Sequence, residues 1–95
     1  MISVIIPAYN EEKYISKSLK SLQKQDYKGE YEVIVVDNAS TDRTAETAKR
    51  YGAKVVQEKH KGLTWARQKG FNASSGEIIA SLDADTVASP HWLTV

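Results

Sequence analysis

Three similar apolar runs constrain the fold of this 95-residue chain more than any other feature. They cover residues 3–10, 32–40 and 77–85. Each begins at a polar residue, continues through β-branched and aliphatic residues, and stops at a turn-forming group. Continuous apolar runs of this length are typical of strands that are buried on both faces of a parallel sheet. A shorter run at 54–58 predicts a fourth strand, nearer an edge of the sheet.

Helical patterns separate these predicted strands. Ile15, Leu19 and Leu22 recur at i, i+4 and i+7, which places them on one face of a helix. The segments 40–52 and 62–76 show the same periodicity, and Gly70 in the latter would allow close packing on the sheet. The resulting order is β-α-β-α-β-α-β. It predicts the α/β class, with a Rossmann-like parallel sheet and helices on both of its faces.

Length, charge and cysteine content limit the classes of function. We expect one domain, residues 1–95, because a chain of this size rarely forms two. The net charge is +1 with acids and bases interspersed, which argues against a nucleic-acid partner. The sequence has no cysteine, so thiolate metal sites and disulfides are excluded. We recognise no signal peptide and no membrane-spanning run, and therefore expect a cytoplasmic location.

Polar side chains follow the predicted strands at their carboxyl ends, where open parallel sheets bind ligands. Tyr9 and Glu11 follow the first strand, Asp37 ends the second, and Asp83 and Asp85 follow the last. Asp37 equally suits a turn, and Glu11 equally suits the first turn of a helix. Asp83 and Asp85 are harder to explain structurally, because two carboxylates this close repel each other. A hard divalent cation is the simplest partner for them.

The segment 60–70 is basic and begins a predicted helix. Lys61 and Arg67 could face an anion there, because backbone amides at a helix start also attract negative charge. A solvated basic face is the alternative, and we prefer it for Lys69. Trp65 is interpreted as a packing residue in preference to a platform for a sugar ring.

The chain lacks two nucleotide-binding motifs and fits a motif of one phosphatase family. Neither the dinucleotide-binding glycine pattern nor a P-loop occurs in the sequence. Residues 83–87 do fit the D-x-D-x-[TV] pattern of haloacid-dehalogenase-type phosphatases. In that family the motif lies on the first strand and further motifs follow it, whereas only ten residues follow Asp85 here. A fragment of such a phosphatase is therefore a minor alternative.

The chain resembles the N-terminal half of family 2 glycosyltransferases, which have the GT-A fold. Four pieces carry the resemblance, in this order: SVIIPAYNEEKYISKSLKSLQKQ, YEVIVVDNASTDRTAETAKRYG, KGLTWARQKGFNASSGEIIASLDADT and PHWL. Each piece is modestly specific by itself. Their order and spacing together are highly specific, and they span nearly the whole chain.

The resemblance implies a binding site for a nucleoside-diphosphate sugar, with UDP or GDP as the nucleotide. It also implies a Mg²⁺ or Mn²⁺ ion that bridges the diphosphate and binds Asp85 and Asp83. Within this site, Asp37 would recognise the base. The residues that the resemblance places at the donor are Pro7, Ala8, Tyr9, Glu11, Asp37, Lys61, Gly62, Arg67 and Asp83.

The implied reaction is an inverting transfer of the sugar to an acceptor that the sequence does not identify. In the family the catalytic base lies well beyond the D-x-D motif, so we expect it beyond Val95. We therefore expect a donor-binding half that is truncated after this motif and inactive alone. A longer parent could associate with the cytoplasmic face of a membrane. The alternative is a non-catalytic nucleotide-binding or interaction module. An exposed sheet edge would favour a homodimer.

Overall fold

A computed structural model describes residues 1–94, so Val95, the last residue of the predicted domain, lies outside the described residues. Strands and helices alternate along these residues. The elements are β1 (Ile2–Ala8), α1 (Ile15–Gln23), β2 (Tyr31–Asp37), α2 (Thr44–Arg50), β3 (Lys54–Gln57), α3 (Leu63–Ala73) and β4 (Ile78–Ser81). The predicted β-α-β-α-β-α-β order is confirmed.

The four strands form one sheet in the order β3-β2-β1-β4, and every neighbouring pair is parallel. Ala8 lies opposite Asp37, and Asp37 lies opposite Gln57. Strands β1, β2 and β3 therefore end at the same level. We call this carboxyl edge of the sheet, with the loops that leave it, the rim. β3 lies at an edge of the sheet, as its short run predicted.

Helices cover both faces of the sheet, as expected for a parallel α/β fold. On one face, α1 packs Ile15, Leu19 and Leu22 against alternate residues of β1. On the other face, Ala66 of α3 packs against Ile5 and against alternate residues of β2. The period-two alternation of a strand thus divides β1 and β2 between two apolar clusters.

Gly70 brings α3 close to the sheet. A Cβ atom at this position would overlap the Cγ2 methyl of Ile5 and lie 3.1 Å from Cγ2 of Val36. The helix therefore approaches β1 and β2 at a distance that only glycine allows. The packing role suggested for Gly70 from the sequence is confirmed.

β4 is less buried than its apolar sequence predicted. Ile78 and Ile79 are 61% and 38% exposed, so the expectation of a strand buried on both faces is wrong here. The strand ends at Ser81, and the chain then leaves it with Leu82 buried. The physical reason is its position, because β4 is an edge strand and α3 packs mainly on β1 and β2.

No helix within residues 1–94 is long and apolar enough to cross a bilayer.

Candidate functional site

A cavity of about 490 Å³ opens at the rim, between the ends of β1 and β2 and the start of α3. Its volume is in the usual range for small-molecule sites. The wall combines apolar atoms with a carboxylate, an amide and an ammonium group. The lining residues are Pro7, Ala8, Tyr9, Glu11, Asn38, Lys61, Gly62, Leu63 and Ala66. The structure thus brings together six of the predicted site residues, namely Pro7, Ala8, Tyr9, Glu11, Lys61 and Gly62.

The loops that leave β1 and β2 are bonded to each other beside this cavity. Asn10, with φ of 52°, takes the left-handed conformation that asparagine tolerates better than most residues. Its backbone N–H donates to Oγ of Ser40 at 3.0 Å, and its Oδ1 accepts from the amide of Thr41 at 2.8 Å. The amide of Glu11 donates to Oγ1 of Thr44 at 2.9 Å. These bonds fix the backbone that carries Glu11 into the cavity.

Tyr9 and Lys61 come from opposite walls and meet across the cavity. Nζ of Lys61 lies 5.1 Å from the centroid of the Tyr9 ring and 3.5 Å from its hydroxyl oxygen. This is the geometry of a cation–π contact at an exposed site. The flat ring of Tyr9, a residue that is 46% exposed, therefore lies next to a positive charge. A planar ligand that carries negative charge would find complementary groups here.

Asp37 is held by the chain itself. The side chain is buried, and its Oδ1 accepts a hydrogen bond from the amide of Ser40 at 3.1 Å. The turn-forming alternative considered from the sequence is therefore present, and Asp37 does not line the cavity. Its role in base recognition stays a prediction.

Asn38, the next residue, does line the cavity, and sequence reasoning assigned it no role. Its side chain bonds to backbone groups of the segment 58–62, on the far wall. A signal was present in the sequence, because an asparagine at the carboxyl end of a buried strand lies on the ligand-binding edge of a parallel sheet. The sequence analysis assigned a role to the neighbouring carboxylate of Asp37 and none to the amide of Asn38.

Asp83 and Asp85 are exposed in the loop that follows β4. Burial raises the pKa of Glu11 above its usual value, and the negative charges of Asp85 and then Asp42 add to this effect. Glu11 and Asp85 therefore lie near enough to repel each other. Within residues 1–94 the recorded ion pairs involve other acids, Glu58 and Asp26. In this part of the chain, Glu11, Asp83 and Asp85 therefore form no ion pair with a protein cation.

A divalent cation fits this charge. Asp83 and Asp85 offer hard carboxylate oxygens, which Mg²⁺ and Mn²⁺ prefer. In the part of the chain that the structure describes, no group of three or more acidic, His or Cys side chains is placed to hold a metal by itself. This suits Mg²⁺, which commonly binds one or two carboxylates and takes its other ligands from phosphate and water.

Three residues of α3 that the sequence analysis considered, Trp65, Arg67 and Lys69, lie outside the cavity lining. Arg67 is exposed and is not one of the lining residues, and its contact with an anion stays a prediction. Trp65 was interpreted as a packing residue, but it lies at the surface outside both apolar clusters. The residue is 53% exposed, and its ring stacks on that of His60, with centroids 4.6 Å apart. Lys69 is exposed, in agreement with a solvated basic face.

The sequence of this chain is similar to those of known glycosyltransferases. The family model for glycosyl transferase family 2 matches residues 3–95. Glycosyltransferase AglE of Haloferax volcanii is 40% identical over 99 aligned residues, which cover 97% of this chain and 33% of AglE. The chain therefore spans about a third of that relative.

Solved structures agree with this result. TarS of Staphylococcus aureus, residues 1–349 in complex with UDP, matches with a TM-score of 0.90 and 38% identity, covering 98% of this chain and 30% of TarS 1–349. The mannosyltransferase PcManGT of Pyrobaculum calidifontis, in complex with GDP-Man and Mn²⁺, matches with a TM-score of 0.82 and 34% identity, covering 88% of this chain and 27% of its own. The predicted fold class is confirmed. These matches give no support to the phosphatase alternative.

Proposed function

The chain belongs to glycosyl transferase family 2, and on that premise we propose that it forms the donor-binding half of an enzyme that transfers a sugar from a nucleoside diphosphate. The proposed reaction inverts the configuration of the sugar and joins it to an acceptor hydroxyl. The proposed donor is a UDP- or GDP-sugar. Complexes of TarS with UDP and of PcManGT with GDP-Man support this class of ligand.

The cavity between Tyr9 and Lys61 is the observation that carries the proposal. It lies at the carboxyl ends of parallel strands, where folds of this class bind nucleotides. The exposed ring of Tyr9 offers a surface for a planar base, and the ammonium group of Lys61 offers a charge for a diphosphate. We also propose that Asp37 and Arg67 contact the donor, and for these two residues the support is the family resemblance alone.

We propose that Asp83 and Asp85 bind Mg²⁺ or Mn²⁺. The Mn²⁺ in the PcManGT complex supports this choice of ion. When bound, such an ion would stabilise the negative charge that develops on the departing diphosphate. This chain would supply the carboxylates of Asp83 and Asp85 at the rim. Both side chains are exposed, and neither forms an ion pair within residues 1–94.

The acceptor step is assigned outside the described residues. Transfer needs a general base that removes the proton of the acceptor hydroxyl. We propose that this base is supplied by residues beyond Val95.

A cytoplasmic location, including the cytoplasmic face of a membrane, is likewise a proposal, and fractionation of cells that express the parent protein would test it.

The proposed function predicts metal-dependent binding of a nucleotide by this chain. We expect addition of UDP or GDP with Mn²⁺ to broaden the amide NMR signals of residues 83–86 and to shift those of Tyr9 and Lys61. Asp85→Asn should remove the metal-dependent part of the affinity, because one of the two proposed carboxylate ligands is lost. A loss of about tenfold or more is expected for a charged contact.

Glu46→Gln is the matched control, because Glu46 is an exposed carboxylate of α2. This variant should bind like the wild type. Undiminished metal-dependent binding by Asp85→Asn would show that the D-x-D assignment is wrong. Failure of both nucleotides to bind the wild-type chain, with or without Mn²⁺, would contradict the donor-site proposal.

A second copy of this chain is the proposed partner at the exposed edge of β4. Ile78 and Ile79 expose apolar surface there, and among the described residues β1 is the strand with which β4 pairs. An apolar edge strand with unpaired backbone groups favours pairing with a like strand. We therefore propose a homodimer through β4.

A further inference from the structure

We infer that Asn38 is a positioning residue, which holds Lys61 at the mouth of the donor cavity. The inference rests on the proposed function for the identity of the ligand, but the positioning itself is a property of the free protein. Asn38 would act through the segment 58–62, and Lys61 would meet the anionic part of the ligand.

The side chain of Asn38 bonds to backbone groups on both sides of Lys61. Its Nδ2 donates to the carbonyl oxygen of Glu58 at 3.1 Å and to that of His60 at 2.7 Å. Its Oδ1 accepts from the amide of Gly62 at 2.9 Å. One primary amide thus spans five residues of the opposite wall, and Lys61 lies inside that span.

This bonding leaves Asn38 little capacity for the ligand. A primary amide has two N–H donors, and both are used by the carbonyl groups of Glu58 and His60. The residue is only 6% exposed, so releasing these bonds would leave buried polar groups unsatisfied. Although Asn38 lines the cavity, its side chain is committed to the loop. Its effect on a ligand must therefore pass through the residues that the loop carries.

Lys61 depends on this attachment because the segment 58–62 has no helix or strand of its own. Gly62 has φ of 137°, a conformation that favours glycine and turns the chain into α3. Lys61 is exposed, and its ammonium group contacts the ring of Tyr9. Without the bonds from Asn38, the segment would keep the bond from the Glu58 amide to the carbonyl of Asp37 and the stacking of His60 on Trp65. It would lose its bonds to Asn38 on both sides of Lys61, and we therefore expect the charge of Lys61 to move away from the ring.

NMR of the free protein tests the positioning without any ligand. The ring current of Tyr9 should shift the side-chain proton signals of Lys61, because the two groups are in contact. Asn38→Ala should return these signals to the values of an unstructured lysine, while Asn72→Ala should not. Asn72 is the matched control, because it is an exposed asparagine at the end of α3. Retention of the shifts in Asn38→Ala would overturn the inference.

A double-mutant cycle tests the consequence for binding, with UDP and Mn²⁺ as the probe. Asn38→Ala and Lys61→Ala should each weaken binding about tenfold, as expected for loss of one charged contact. The double variant should bind no more weakly than either single variant, because Asn38 acts through Lys61. Multiplied losses would show a separate structural effect of Asn38 and would overturn the inference.

Two further measurements keep the test decisive if Asn38→Ala fails to fold. Asn38→Asp retains the acceptor for the Gly62 amide but loses both donors, and it should displace Lys61 in the same way. In the wild type, the Gly62 amide should exchange slowly with solvent, since it donates to Oδ1 of Asn38. Rapid exchange would contradict the inference. If neither UDP nor GDP binds while the Lys61 shifts behave as expected, the proposed function fails and the positioning stands.

Discussion

Polar side chains near the strand ends bond to the backbone of another segment more often than to one another. Asn38 bonds to the segment 58–62, and Asn10 bonds to Thr41. At the opposite end of the sheet, Glu32 accepts hydrogen bonds from Oγ of Ser3 at 2.5 Å and from the amide of Ser75 at 2.7 Å. Each of these residues fixes a loop that has no regular structure of its own.

Glu32 carries a prediction about pH. The hydrogen bond from Ser3, then that from the Ser75 amide, lowers the pKa of Glu32 below its usual value of 4.5. Because the folded state lowers this pKa, ionised Glu32 stabilises the fold above pH 4.5, and the contribution is lost as the pH falls through the folded-state pKa. Glu32→Gln should therefore reduce the free energy of unfolding at pH 7 by about 1 kcal/mol.

The measurement is urea unfolding of the wild type and Glu32→Gln at pH 7 and at pH 3. The difference between the two proteins should shrink at the lower pH. Glu30→Gln, which changes an exposed carboxylate just before β2, should show little difference at either pH. An equal difference between wild type and Glu32→Gln at both values would mean that the charge of Glu32 contributes nothing.

Single residues were predicted unevenly, for a physical reason. Tyr9 and Glu11 were predicted from their place after β1, and Lys61 from the basic segment 60–70. The family resemblance implies the same three residues, and they line one cavity. Asn38 was missed because its partners lie 20–24 positions away, in an irregular loop. Such a contact leaves no periodic pattern in the sequence. Arg67 was predicted at the donor from the basic segment 60–70 and from the family resemblance, and it is exposed outside the cavity lining.

The burial of a strand followed from its apolar run where the strand has neighbours on both sides in the sheet. β1 and β2 are central strands, and their apolar runs are buried. β4 has an equally apolar sequence but lies at an edge, where Ile78 is exposed. An apolar run shows that burial would be favourable, whereas strand order decides whether a covering layer is present. Strand order depends on the crossover connections and could not be derived from the run itself.

The packing of α3 on the sheet yields a prediction at the scale of elements. Gly70→Ala should destabilise the fold, because the added methyl would overlap the side chain of Ile5 and crowd Val36. Overpacking of this kind costs about 1–3 kcal/mol, whereas the gain in helix propensity is about 1 kcal/mol. We therefore expect a net loss in the free energy of unfolding, measured by chemical denaturation.

Thr64→Ala is the control for this prediction, because Thr64 is exposed in the same helix. It should change stability by no more than about 0.5 kcal/mol, as is usual for surface substitutions. A Gly70→Ala protein that is as stable as the wild type would show that α3 can shift away from the sheet at little cost. The close approach of helix and sheet would then have no energetic importance.

For the molecule as a whole, the two edges of the sheet differ in how well they resist association. β3 begins with Lys54 and ends with Gln57, and polar side chains on an edge strand discourage pairing with another chain. β4 has the sequence Ile-Ile-Ala-Ser, without a charge. The donor cavity opens at the carboxyl ends of the strands, so pairing along the edge of β4 would leave it accessible.

Sedimentation velocity of this chain should therefore show a species whose sedimentation coefficient rises with protein concentration. Ile78→Lys should reduce this association, because it places a charge on the exposed edge strand. Val87→Lys is the matched control, since Val87 is similarly exposed but lies outside β4. A wild-type chain that stays monomeric at all concentrations would contradict the proposed dimer. Equal effects of the two lysine substitutions would instead indicate that charge suppresses non-specific association, with no particular role for the β4 edge.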